Sequence, residues 1–134
     1  TADMITGFPG ETEADQAAAV AFLEQVGFAA VHVFPYSRRP GTKADAMPEQ
    51  LSHAVKSARA HEAQRVADAC KQRYLVQQVG QTLPVLFETE HDGSWVGHSD
   101  NYCLVRAAGD DLRGLVKNVK ISAVSGQMLV GDLV

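Results

Sequence analysis

Thr1-Ala2-Asp3-Met4-Ile5-Thr6-Gly7-Phe8-Pro9-Gly10-Glu11-Thr12 opens the chain, and its reading decides the fold. Residues 3–6 read as a short strand that runs into a glycine-punctuated turn at residues 7–11. Thr12 then fits a helix N-cap, with acidic Glu13 and Asp15 in the first turn, where the helix dipole favours negative charge. Ala19, Phe22, Leu23 and Val26 recur at spacings of three and four, which predicts a buried helical stripe ended by Gly27. Ala30-Val31-His32-Val33-Phe34 follows as a short apolar strand. Strand, helix, strand is a βαβ unit, and two strands joined by such a crossover run parallel.

Working outward, the loop Pro35-Tyr36-Ser37-Arg38-Arg39-Pro40-Gly41-Thr42 comes next. Pro48 then precedes a long, alanine-rich helix expected to reach about residue 77. Leu51, Val55, Ala58, Val66, Cys70 and Tyr74 fall near one face of it, and Lys56, Arg59, Arg65, Lys71 and Arg73 add positive charge along it. One βαβ unit and a helix cannot close a sheet, because both strands lack neighbours. Residues 1–80 are therefore expected to be part of a larger α/β domain.

From Thr82 the period changes from helical to alternating. Leu83, Val85 and Phe87 interleave with Pro84, Leu86 and Glu88, and Asp92-Gly93 suits a hairpin turn. Further strands are expected at residues 95–98, 103–107, 115–123 and 127–133. Five short strands in so little chain predict a small closed β-barrel of the oligonucleotide-binding type over residues 81–134. The fold class expected is α/β followed by all-β, joined near residues 78–81.

Composition limits function. The chain has 134 residues and a formal charge of −4, against a strongly cationic nucleic-acid or membrane-surface binder. Hydrophobic residues make up 46%, enough for a packed core. No apolar run approaches the ~20 residues of a bilayer span, so no membrane role is expected. Cys70 and Cys103 cannot supply a disulfide framework or a cluster's thiolates. The chain starts at Thr1 with no signal-like segment, which suggests a piece cut from a larger cytoplasmic protein. Residues 1–82 carry a net −1 and residues 83–134 a net −3.

The turn at residues 7–12 sits where a strand's carboxyl end meets a helix start, a common ligand position; it also reads as a plain tight turn. It matches neither the phosphate-loop nor the dinucleotide fingerprint. Arg38 and Arg39 could hold a carboxylate or phosphate, or be a solvated pair. Tyr36 could stack on a base or pack. In the barrel, Phe87, Trp95 and Tyr102 offer aromatic faces, and His98, Arg106, Lys117 and Lys120 offer donors for single-stranded RNA; such aromatics also serve as core. No His, Cys, Asp or Glu set has metal-ligand spacing, and no catalytic Ser-His-Asp or Cys-His arrangement can be argued.

Residues 3–12 and His32-Val33-Phe34-Pro35-Tyr36-Ser37-Arg38-Arg39-Pro40-Gly41-Thr42 resemble the radical S-adenosylmethionine methylthiotransferases. The Phe-Pro-Tyr-Ser-Arg-Arg-Pro-Gly-Thr form looks most like the branch acting on threonylcarbamoyladenosine in tRNA, although Lys43 replaces a usual proline. The C-terminal half is similar to the TRAM domain, an RNA-binding β-barrel, with Ser99-Asp100-Asn101-Tyr102 in a familiar place. The resemblance implies the end of a radical (βα) barrel, with Gly7, Phe8, Pro9, Gly10 and Glu11 shaping the S-adenosylmethionine pocket. It implies that Arg38, Arg39, His98, Asn101, Tyr102, Arg106, Lys117 and Lys120 meet substrate or RNA, the partner being a tRNA anticodon stem-loop. The parent would use S-adenosylmethionine and four-iron four-sulfur clusters. The cluster cysteines are absent here, so this piece is expected to bind no cofactor and to be inert alone. It is expected to self-associate through its exposed strands, or to be swapped or disordered over residues 1–45. Two other readings stand: a stand-alone RNA-binding module, and a fragment of a TRAM-bearing tRNA methyltransferase.

Overall fold

Residues Ala2–Thr6 form β1, Glu13–Val26 form α1 and Val31–Pro35 form β2. In the computed structural model, which describes residues 1–134, β1 and β2 pair in parallel from Ala2 opposite Val31 to Thr6 opposite Pro35. They form a two-stranded sheet. Thr12 caps α1 as its position implies. Its hydroxyl accepts the Asp15 N–H at 3.1 Å, and the Asp15 carboxylate accepts the Thr12 N–H at 2.9 Å, a reciprocal capping box. Gly27 ends the helix in the left-handed conformation, φ 67°.

The expected α1 stripe is only partly right. Leu23 is buried, but Phe22 and Val26 are exposed, and Gln16 is buried instead. The buried line runs through Gln16, Val20 and Leu23, with Val20 and Leu23 packed in the core. Phe22 turns about 100° or more off that line and Val26 lies at its edge, so both stay exposed beside a layer of two strands and two helices. Phe22 meets Phe28 edge-on at 6.2 Å.

The long helix, α2, spans His53–Gln77 and starts later than Pro48 suggests. A single 3-10 turn at Ala44–Ala46 and a left-handed Glu49 intervene. Ser52 caps α2 by accepting the Val55 N–H at 3.3 Å. Its buried face is the expected one at Val66 and Cys70 but departs from it nearer the helix start. Val55 and Ala58 are exposed, whereas Ala63, Val66, Ala67 and Cys70 are buried with Leu23 and Val31. Ala63 and Ala67 carry no bulk beyond Cβ, which lets the helix backbone lie close to its neighbours. Met4 and Val33 pack into this core from one face of the sheet. On the other face Ile5 and Phe34 are 56% and 52% exposed.

The chain divides into two compact units, Thr1–Lys71 and Gln72–Val134. In the second, β3 (Thr82–His91), β4 (Ser94–Ser99), β5 (Leu104–Ala108), β6 (Val116–Ser125) and β7 (Met128–Leu133) close in the order β3-β4-β5-β7-β6. All neighbours are antiparallel except the short β5–β7 pair. The hairpin turn falls at Asp92-Gly93, both with positive φ, as that dipeptide favours. Alternate residues of β3 and β6, namely Leu83, Val85, Phe87, Val119 and Ile121, fill the interior with Trp95, Val105 and Leu129. Leu75, from the end of α2, belongs to the same cluster. A side chain at Gly97 would collide with the Leu86 carbonyl, and one at Gly131 with the Lys120 carbonyl, so both strands need glycine where backbones cross.

Candidate functional site

The turn after β1 is held from inside. Gly7 takes φ 71°, and the stem of Lys56 fills the space a Cβ would occupy. The Gly7 N–H donates to Glu11 Oε1 at 2.9 Å. Arg59 Nη1 donates to the same oxygen at 2.6 Å and to the Glu11 carbonyl at 2.9 Å. The pair is largely enclosed, with side-chain exposures of 12% and 14%. The Gly10 N–H donates to the Glu49 carbonyl at 3.1 Å, and Pro9 is buried. Glu11 is thus committed to the turn itself, and Phe8 is the residue the turn presents outward, its ring edge-on to Tyr36 at 5.3 Å. By its spacing, Arg59 is only one of the positive charges along α2. The signal that marks it is a lone acid inside a glycine turn, which needs a cationic partner when enclosed.

Across from the turn, the Tyr36 N–H donates to the Thr6 carbonyl at 2.8 Å and fixes the start of the loop. A groove of about 420 Å³ opens at the carboxyl ends of β1 and β2, lined by Ile5, Phe34, Tyr36, Ser37, Arg39 and Thr42 among others. The structure separates the two arginines. Arg38 Nε donates to Asp45 Oδ1 at 2.7 Å and its Nη2 to the Asp45 carbonyl at 2.9 Å, which pins the loop. Arg39 makes no ion pair within 4 Å and lines the groove. The Tyr36 hydroxyl is enclosed with no hydrogen-bond partner. Lys56 Nζ lies 5.6 Å from the centre of its ring. An apolar and aromatic wall and one uncompensated guanidinium suit a flat heterocycle carrying an anionic group.

On the barrel, the loop after β4 is tied by Ser99, which donates to Asn101 Oδ1 at 2.6 Å and accepts the Cys103 N–H at 3.1 Å. Asn101 Nδ2 donates to Gln78 Oε1 at 3.1 Å, so Asn101 holds the loop in place. Tyr102 sits in the left-handed region and is 85% exposed. It borders a groove of about 330 Å³ with Pro84, Leu86, His98 and Val116. His98 Nδ1 lies 2.7 Å from Glu88 Oε2. Arg106 is exposed on β5, in register with Val96. Lys117 and Lys120 are opposite Val85 and Thr82 and, three residues apart, leave β6 on opposite faces. Lys120 Nζ donates to the Gly80 carbonyl at 2.5 Å. Of the three aromatics considered, Phe87 and Trp95 are core and only Tyr102 faces solvent. His98 and Tyr102 share a groove; Arg106, Lys117 and Lys120 do not line it.

No three His, Cys, Asp or Glu side chains come together in a way that could hold a metal ion, so these residues do not fit an iron–sulfur cluster. No helix is long and apolar enough to cross a membrane. The chain matches no family model. It is 37% identical over 127 residues, 90% of its length, to a threonylcarbamoyladenosine tRNA methylthiotransferase of Bacillus subtilis. It is 40% identical over 134 residues to a tRNA-2-methylthio-N(6)-dimethylallyladenosine synthase of Maricaulis maris, and 36% identical over 141 to one of Nitratidesulfovibrio vulgaris; each match takes in 98% of the chain. The chain spans 28%, 29% and 31% of the length of these three curated relatives. With motif and overall likeness in agreement, the chain belongs to the radical S-adenosylmethionine methylthiotransferase family.

Proposed function

We propose that the chain is part of a cytoplasmic enzyme that adds a 2-methylthio group to threonylcarbamoyladenosine next to the anticodon of tRNA. Residues 1–80 form the end of its radical barrel and residues 81–134 a TRAM domain that grips the anticodon stem-loop. The observation that carries this reading is a coincidence of position. The groove at the carboxyl ends of β1 and β2 is built from the residues that bear the family motifs, Ile5 on one side and Phe34 to Thr42 on the other.

S-adenosylmethionine would supply the radical and the methyl group, and Ile5, Phe34, Tyr36 and Arg39 would line its place in this chain. The chain's own part is to bind and orient. Ile5, Phe34 and the Tyr36 ring would give a flat heterocycle an apolar wall. Arg39 attracts the cofactor carboxylate or a substrate phosphate, while Arg38 keeps the loop in shape through Asp45. Gly7 to Gly10 set the backbone path beside the groove. On the barrel, Tyr102 is the stacking face, and His98, Arg106 and Lys117 supply polar and cationic contacts to RNA. With a net charge of −3 over residues 83–134, the barrel holds RNA by stacking and local contacts more than by its overall field.

RNA from cells lacking the full-length gene tests the reading. Loss of the 2-methylthio group from threonylcarbamoyladenosine is expected, and unchanged modification overturns it. A second reading comes from the relatives named as dimethylallyladenosine synthases. Loss from dimethylallyladenosine alone would select that branch. The motif form at residues 34–42 favours the first.

A further inference from the structure

We propose that Arg59 is a positioning residue for the cofactor-binding turn, acting through Glu11 and never touching the cofactor itself. The inference rests on the reading of the groove given above and names what sets its geometry. Gly7 is the first residue after β1. Its left-handed conformation aims its N–H back into the turn, where the only acceptor it meets is Glu11 Oε1. That carboxylate is enclosed, and one so placed must be matched by a positive charge. Arg59 supplies the charge from a helix 48 residues further along, and it does so twice, to the carboxylate and to the carbonyl of the same residue. One guanidinium nitrogen therefore fixes both the side chain and the backbone of Glu11, and through Oε1 the amide of Gly7. The Lys56 stem, one turn before Arg59 on α2, packs against Gly7 from the same helix. Gln16 Nε2 donates to the Arg59 carbonyl at 3.1 Å and fixes the helix at that level. The turn's path is thus copied from α2, not from its own short sequence.

The turn carries Phe8, whose ring packs on Tyr36 in the groove wall, so a displaced turn moves that wall without removing any group that lines it; the expected loss falls on cofactor affinity and leaves the barrel's hold on tRNA alone. The test measures equilibrium binding of S-adenosylmethionine and, separately, of tRNA to the full-length protein, without turnover. Arg59→Met should weaken S-adenosylmethionine binding about tenfold or more, since small misplacements at a binding site carry effects of that size. Arg59→Lys should restore part of it. Adding Glu11→Gln to Arg59→Met should cost little more, because the two residues act as one unit. Affinity for tRNA should stay within about twofold in every variant. Should Arg59→Met not fold, Arg59→Lys and Glu11→Gln carry the test. Wild-type affinity for S-adenosylmethionine in these variants, or an equal loss of tRNA affinity, overturns the role of Arg59. A wild-type protein that binds no S-adenosylmethionine overturns the reading of the groove, and the inference with it.

Discussion

The β1–β2 pair and the β3–β7 barrel meet the same difficulty, strands with unpaired edges, in opposite ways. The barrel closes, so every strand has two partners and alternate side chains fill one interior. The parallel pair stays open, covered by α1 and α2 on the Met4 and Val33 side and bare on the Ile5 and Phe34 side. The difference teaches where stability and function separate. Closure spends the apolar residues of the barrel on its core, whereas the open sheet leaves apolar residues and a groove at one end for something else to meet.

The largest expected effect falls on the barrel. Phe87→Ala empties a fully buried site and should destabilise the second unit by about 3–5 kcal/mol. The single tryptophan, Trp95, lies in that core, so its fluorescence in a denaturant titration reports this unit. Gly97→Ala comes next, at about 1–3 kcal/mol, because the added methyl meets the Leu86 backbone, which cannot swing aside. A variant as stable as the parent there would break the contrast, showing that the barrel gives as easily as the open sheet.

In the first unit, Thr12→Ala should cost about 1 kcal/mol, measured by circular dichroism of thermal unfolding. The same box predicts a pH dependence. Hydrogen bonds from the Thr12 backbone and then its hydroxyl hold the Asp15 carboxyl below its usual 3.8. A group with a lowered folded value stabilises fully above the unfolded value, and that contribution fades as pH falls through the folded one. Acid titration of stability below pH 3.8 should therefore show this limb, reduced in Thr12→Ala because only the backbone donor remains. Smallest of all, Phe34→Lys should change stability by no more than about 0.5 kcal/mol, since the ring is half exposed. Its effect should appear instead in analytical ultracentrifugation, as reduced self-association of the chain through the bare sheet face. A large loss of stability would show that the face is covered after all.

Much of this was legible in the residues. The capping box at Thr12, the stop at Gly27, the Asp92-Gly93 hairpin and the alternation of β3 rest on contacts a few residues apart, and the structure matches them. The misses depend on partners far along the chain. Phe22 and Val26 have the right spacing for a core, yet only the packing of two helices on two strands decides that Gln16, Val20 and Leu23 take the inner line. Val55 and Ala58 lose to Ala63 and Ala67 for the same reason. In the groove, Arg38 and Arg39 look equivalent as neighbours, and Asp45 takes one of them and leaves the other.

By itself, then, the order of residues determined the strand–helix–strand start, the switch to a β-rich half, and the family, because these follow from local backbone preference, side-chain period and motif. Only the tertiary structure decided which arginine faces the groove, which aromatics of the barrel meet solvent, and that Arg59 holds Glu11 and Gly7. Those outcomes are set by direction and distance between elements, and no spacing along a chain encodes them until the elements have packed.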